Sequence, residues 1–254
     1  MTESPSYVIV GRGHWATRMN AILEGEGRHT VPLADSRRAA SEDESSYRQR
    51  LYASFSNSSA QIAWLCIPPG NHIPVIMEAA IQAGLHVVAE KPWFCSPEET
   101  GLLEALAKPR RLLLAIHYEY CMVEQVETWR RAWRNGHGLQ FHGRLKVNRP
   151  NRTELSPLEN LGSHLFSIQE YAVPDSVLAE IDCAYQQPNE RRVWLRKKDR
   201  LVAEIDLFAN KELIIQRFIA GVEAAIRGQL FPFDLQFALR VAERVSLWRQ
   251  RCAR

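Results

Sequence analysis

The sequence predicts an α/β chain in two parts. Residues 1–118 read as a doubly wound parallel sheet, and residues 119–254 as a smaller α+β domain whose sheet is mainly antiparallel. Three observations carry this. Short apolar runs alternate with segments of helical spacing from Tyr7 to His117, the pattern of a sheet covered by helices on both faces. The stretch Gln61–Trp93 forms a complete strand–helix–strand unit. After Tyr118, strands with period-two alternation follow one another and the helices gather beside them.

The first strand, Tyr7-Val8-Ile9-Val10, runs straight into Gly11-Arg12-Gly13-His14-Trp15-Ala16. This is Gly-x-Gly-x-x-Ala between a strand and a helix. Gly11 permits the tight turn, Gly13 lets a pyrophosphate approach the backbone, and Ala16 allows close helix–strand packing. His14 and Trp15 line the same turn. The helix Trp15–Leu23 directs its first amides at the phosphates. The next strand, His29–Ala34, ends at Asp35, where an acid accepts hydrogen bonds from ribose hydroxyls. Ser36-Arg37-Arg38 follows at once, and an arginine there can pair with a 2′-phosphate, with a solvated start of the next helix as the alternative. The signals conflict. The expectation is NADP or use of both cofactors, with NAD as the alternative. Residues 39–60 are polar and serine-rich, with a helix around Tyr47–Leu51.

In the central unit, Ile62–Ile67 is a buried strand and Pro68-Pro69-Gly70-Asn71 breaks it. From His72 the apolar residues Ile73, Ile76, Met77, Ala80 and Ile81 recur at helical spacing until Gly84 stops the helix. A second buried strand, His86–Ala89, ends at Glu90-Lys91-Pro92. Ser96-Pro97-Glu98-Glu99 then reads as a helix start, with a serine cap, proline at the first position and acids in the first turn. That helix runs to about Lys108, and Arg111–His117 makes the last strand of the first part.

The wording of the central unit, IPPGNH followed by a helix and AGLHVVAEKPW, resembles the Gfo/Idh/MocA family of NAD(P)-dependent oxidoreductases. The resemblance is strong over residues 7–93 and looser beyond. It implies a Rossmann-type first domain and a cofactor contact from the Pro68 turn and His72, for which capping of the next helix is the alternative. It assigns Lys91 to catalysis or substrate positioning, with Glu90 orienting the turn. An ammonium there stabilises charge on a reacting oxygen. Pro92 is a candidate for a cis peptide.

Past Tyr118, a helix at Val123–Asn135 precedes strands at Leu139–Asn148, Val177–Gln186, Arg192–Lys197 and Leu201–Phe208. Leu158–Val173 is helical in spacing, and the helices Lys211–Arg227 and Asp234–Arg249 close the chain. The order resembles the second domain of the same family, with short loops. The family signature of a carboxylate one helical turn before a histidine is matched by Asn160-Leu161-Gly162-Ser163-His164. His164 takes the histidine place as general acid/base, but the carboxylate has become Asn160, which orients an imidazole without stabilising its charge. Glu159, next door, points away by about a hundred degrees on a helix. Tyr118, Tyr120 and Asn160 are the substrate-binding candidates, with aromatic packing as the alternative for the two tyrosines.

The resemblance thus implies hydride transfer between a nicotinamide and a small polar alcohol, carbonyl or imine. Asn160 favours the reductive, biosynthetic direction. A non-catalytic nucleotide-binding sensor or scaffold is the rival. A formal charge of +3 over 254 residues is too small to suggest nucleic acid. The basic run Arg191–Arg200 reads as a solvated hairpin. Five scattered cysteines imply neither zinc nor a disulfide framework, and no metal is expected. No apolar run reaches membrane-spanning length, so a cytoplasmic protein without membrane partners is expected. The outer face of an antiparallel sheet suggests a homodimer or higher homo-oligomer.

Overall fold

The structure is a computed structural model that describes residues 4–33, 36–133, 136–150, 155–208 and 211–252. The chain divides into two compact units. The first comprises residues up to His117 together with Ala220–Gln236, and the second comprises Tyr118–Ile219 and the residues from Phe237 on.

The first unit is built on five parallel strands: β1 (Tyr7–Val10), β2 (Thr30–Pro32), β3 (Ile62–Leu65), β4 (His86–Glu90) and β5 (Leu114–His117). Their order is β2-β1-β3-β4-β5. Every residue of β1, β3 and β5 is buried, which is why these segments read as unbroken apolar runs rather than alternating ones. The crossovers are α1 (His14–Gly25), α2 (Glu44–Ser56), α3 (Ile73–Gln82) and α4 (Pro97–Ala107). Ser96 caps α4 as the sequence predicts, and Glu99 returns the bond to complete a reciprocal capping box. Three strands are shorter than expected, β3 among them because it stops at Leu65. β2 ends at Pro32, and Arg111 adopts a left-handed conformation (φ 54°) that closes a 3-10 turn before β5.

The segment Ala220–Gln236 joins this unit because its backbone meets the edge of the sheet. The Ile116 N–H donates to the Phe233 carbonyl at 2.9 Å, and Asp234 bridges to Ala115. Hydrophobic patterning does not reveal this return of the chain.

The second unit contains α5 (Glu124–Trp133), β6 (Gln140–Val147), α6 (Ser163–Ala172), β7 (Val177–Tyr185), β8 (Glu190–Lys197) and β9 (Arg200–Asp206). The helices α7 (Lys211–Ile226) and α8 (Leu235–Cys252) end the chain. The sheet order is β7-β6-β8-β9. β8 pairs antiparallel with both β6 and β9, but β6 and β7 run parallel. The sheet is therefore mixed, because a helical crossover through α6 brings the chain back in the same direction. One face is apolar. Phe141, Leu145, Val193 and Leu195 are buried there, and a side chain at Gly143 would come within 3.0 Å of Leu165 on α6. The other face carries His142, stacked on Trp194 at 5.2 Å, and the ion pairs Lys146–Asp182, Arg144–Glu180 and Arg192–Glu204. Among the described residues, no helix is long and apolar enough to cross a membrane, and no group of three or more His, Cys, Asp or Glu side chains could hold a metal.

A buried ion pair ties the first unit together away from the strand carboxyl ends. Glu223 accepts from Arg28 Nε at 2.6 Å and from the Tyr7 hydroxyl at 2.8 Å. Burial works to raise the Glu223 carboxyl, but the Arg28 and Tyr7 hydrogen bonds hold it below its ordinary value of 4.5. A group lowered in this way contributes stability that is present at neutral pH and is lost as the carboxylate takes up a proton. Glu223→Gln is expected to cost roughly 3 kcal/mol of stability at pH 7. In urea unfolding, that difference should close as the pH falls below the carboxylate range.

Candidate functional site

β1 and β3 are neighbours whose chain connections leave to opposite sides, so a crevice opens beyond their carboxyl ends. A cleft of about 950 Å³ lies there, lined by Gly11, Gly13, Ser36, Arg37, Arg38, Pro68 and His72 among others. Gly11 has φ +130°, and a Cβ on it would sit 2.5 Å from the Cys66 carbonyl oxygen, so only glycine fits. Gly13 is different. A Cβ there would meet nothing within 4 Å, so this glycine leaves open space in front of the helix.

The helix behind that space suits an anion. Gly13 is the N-cap of α1, no side chain caps it, and the first turn holds no acid. By contrast, α2 and α4 are capped by Asp43 and Ser96. The first amides of α1 and its positive end thus face an open approach, which fits a pyrophosphate. Ala16 is buried, as close helix–strand packing requires, whereas His14 is exposed.

Asp35 lies outside the described residues. The loop after it is held by α2. The Tyr47 hydroxyl donates to the Ser36 carbonyl at 2.7 Å, and Arg50 Nη2 donates to the Arg37 carbonyl at 2.8 Å. Arg50 also pairs with Glu42 at 2.8 Å, and Arg38 Nε donates to the Glu42 carbonyl at 2.8 Å. Arg37 and Arg38 are exposed and also line an adjoining hollow with Glu42 and Arg50. Pro68 and His72 are exposed at the cleft wall. His72 is the N-cap residue of α3, the place the capping alternative gives it, but its side chain makes no capping hydrogen bond.

At the end of β4, Glu90 is the hub of a cluster that the sequence reading did not assemble. Its Oε1 accepts from Trp15 Nε1 at 2.6 Å, from Trp64 Nε1 at 3.3 Å and from His117 Nδ1 at 3.0 Å. The His117 ring is fully buried, stacked on Trp15 and edge-on to Trp64. Burial works to raise the Glu90 carboxyl, yet the His117 charge and the three N–H donors hold it below its ordinary value. Lys91 follows directly, half-buried, and the Lys91–Pro92 peptide is cis. Trp64 and His117 sit inside apolar strands, so patterning reads them as core; the only signal was a histidine at the carboxyl end of a parallel strand.

In the second unit, a π-helical turn at Leu158–Gly162 leads into α6 and carries Asn160, with His164 on the first turn of α6. Asn160 Nδ2 donates to the Tyr185 hydroxyl at 2.5 Å. Glu159 is engaged by Ser156 and Arg249, consistent with its pointing away. His164 is 7% exposed and lies with Nδ1 3.7 Å from Glu119 Oε2. The Tyr120 ring packs edge-on against His164 with centroids 4.7 Å apart, and its hydroxyl accepts from Arg191 Nη1 at 2.8 Å. Arg191, read as part of a solvated hairpin, is thus drawn inward to Tyr120. Burial, with the Glu119 charge second, pushes the Tyr120 phenol up to about 12. Tyr118 is 1% exposed and packs edge-on against Phe237, which is the packing alternative and not a substrate-facing position. Sequence reading missed Glu119; the signal available was a carboxylate between two tyrosines just past the last parallel strand.

A parallel five-stranded sheet with a glycine turn and an uncapped helix at its switch point defines a Rossmann-type nucleotide-binding fold. Residues 6–118 match the model of the Gfo/Idh/MocA family, described as an oxidoreductase family with an NAD-binding Rossmann fold. The match covers 113 of the 254 residues, the part of the chain that carries β1 to β5. It is 27% identical over 146 residues to the uncharacterized oxidoreductase C26H5.09c of Schizosaccharomyces pombe; the match takes in 52% of this chain and 39% of that protein. Solved structures share the fold along nearly the whole length. UDP-N-acetylglucosamine 3-dehydrogenase GnnA from Acidithiobacillus ferrooxidans superposes with a TM-score of 0.71 at 15% identity, covering 96% of both chains. The WlbA dehydrogenase from Bordetella pertussis, solved with NADH and UDP-GlcNAcA, gives 0.70 at 14% identity over 97% of this chain and 96% of its own. An inositol dehydrogenase homolog from Azotobacter vinelandii, solved with NADH and myo-inositol, gives 0.68 at 13% identity over 96% and 94%.

Trp15→Phe keeps an aromatic ring but deletes one donor to the Glu90 carboxylate. It is expected to lower stability by roughly 2 kcal/mol in urea unfolding, with most of that loss absent in a Glu90→Gln background.

Proposed function

We propose that this chain is an NAD(P)-dependent oxidoreductase that moves a hydride between a nicotinamide and a small polar alcohol, carbonyl or imine. The observation that carries the reading is the open, uncapped and acid-free start of α1 behind Gly11 and Gly13. The cofactor reading extends to Gly11, Gly13, His14, Trp15, Ala16, Pro68 and His72, with Glu90 fixing the turn that bears Lys91. When bound, the nicotinamide supplies the hydride chemistry. Lys91 contributes an ammonium that hydrogen-bonds the reacting oxygen and stabilises the charge developing on it. His164 contributes proton transfer. In this proposal the first unit carries the cofactor and the second serves the substrate.

NADP is the cofactor we favour. Ser36, Arg37 and Arg38 sit on a backbone tied down by Tyr47 and Arg50, which supports a preorganised site for a 2′-phosphate. The Glu119 carboxylate beside His164 removes the ground on which Asn160 alone favoured reduction, so the proposal covers both directions. A homodimer formed through the outer sheet face of the second unit is the assembly we favour. The charges on that face are already paired within one chain, so its His142–Trp194 stack would supply the apolar contact.

Two experiments test this. Lys91→Met should leave NADPH affinity within about twofold while turnover falls about 100-fold or more; unchanged turnover would remove Lys91 from the chemistry, and no turnover in the parent protein would favour a non-catalytic nucleotide-binding role. Replacing Arg37 and Arg38 together with alanine should weaken NADPH binding roughly 10- to 100-fold, measured by nicotinamide fluorescence, with NADH affinity little changed. Equal losses for both cofactors would count against a 2′-phosphate site.

A further inference from the structure

The carboxylate that the sequence signature lacks at residue 160 is present from another direction. His164 and Glu119 are separated by 45 positions, yet each is only 7% exposed and their charged ends lie 3.7 Å apart. Glu119 opens the 3-10 turn Glu119–Met122 that follows β5, whereas His164 sits on the first turn of α6. We propose that Glu119 is the charge partner of His164, a positioning residue that directs the Nδ1–H towards itself and stabilises the imidazolium. Asn160, an amide bonded to Tyr185, cannot supply that charge. The inference rests on the reading of His164 as the proton-transfer group.

The surroundings fit the role. A carboxylate buried to this degree is costly unless a cation answers it, and the His164 ring at 3.7 Å would do so when protonated. Among the described residues, other titratable and charged groups stand near the ring. From the 3-10 turn, Tyr120 presents its ring and is held neutral by burial, and the buried Cys121 thiol donates to Ser167 on α6 at 3.5 Å. From β8, Arg191 reaches the Tyr120 hydroxyl, and the Arg149 charge also acts on that phenol. On the segment of His164 itself, Glu159 is turned to Ser156 and Arg249. With Nδ1 committed to Glu119, Nε2 is the nitrogen that exchanges a proton, and the carboxylate favours the charged ring in doing so. At 3.7 Å the contact is longer than a hydrogen bond, and it is expected to shorten when the ring is protonated.

The test is an NMR titration of the full chain labelled at histidine, with His164 resonances assigned by their absence in His164→Gln. In the parent protein the neutral ring should be the Nδ1–H tautomer; an Nε2–H tautomer would overturn the proposal without any variant. In the isosteric Glu119→Gln, the His164 titration midpoint should fall by about 1 unit, since the charge that favours the imidazolium is gone. An unshifted midpoint would overturn it. The pH limb of kcat should move by the same amount while the KM for cofactor stays level. If His164→Gln leaves turnover intact, the acid–base reading fails while the midpoint and tautomer still decide the pairing, so the two failures are distinguishable.

Discussion

The Glu90 carboxylate, accepting three N–H bonds under the strand ends, is the constraint on which the first unit's functional end depends. Trp15 brings the first turn of α1 to it, Trp64 brings β3, and His117 brings β5. Four elements distant in sequence therefore converge on one charge, and the residue after that charge is Lys91. A buried carboxylate tolerates little displacement of its donors, because each lost bond leaves a polar group without water to replace it. The glycine turn that follows β1 and the Glu-Lys-Pro turn that follows β4 are in this way held in one frame. Only Gly11 could pass so close to the Cys66 carbonyl while the turn reverses.

The two units handle charge differently. In the first, the helix start that faces the cleft is kept bare: α1 has no capping side chain and no acid, although the same chain caps α2 with Asp43 and α4 with Ser96. Stability given up there is consistent with a site meant for an anion. In the second, titratable groups are paired in the interior. His164 faces Glu119, Tyr120 is bonded to Arg191, and Asn160 reaches Tyr185. The 3-10 turn after β5 thus places a carboxylate beside a buried imidazole.

Much of the first unit was legible as sequence because its chemistry is local. The turn from Gly11 to Ala16, the cap at Ser96 and the break at Pro68 each act within a few residues, and each element followed within a few positions. The second unit was less legible. Alternation located β6, β7, β8 and β9, but the parallel pairing of β6 with β7 depends on where α6 carries the chain, which no local pattern encodes. The return of Ala220–Gln236 to the edge of β5 is of the same kind. Tyr118 and Tyr120 looked alike as neighbours of a strand end, yet one packs on Phe237 and the other meets His164 and Arg191.

By itself the sequence determined the alternation of buried strands and helices, the glycine turn, the Glu-Lys-Pro turn and the spacing of Asn160 to His164. These follow from backbone sterics and from periodicity, which act over short separations. Only the tertiary structure decided which polar groups would share a site: Trp15, Trp64 and His117 around Glu90, and Glu119 beside His164. The physical reason is that a charge withdrawn from water must be answered by whichever partner the packing brings within a few ångströms, and that partner is chosen by topology across 26 to 75 positions of chain.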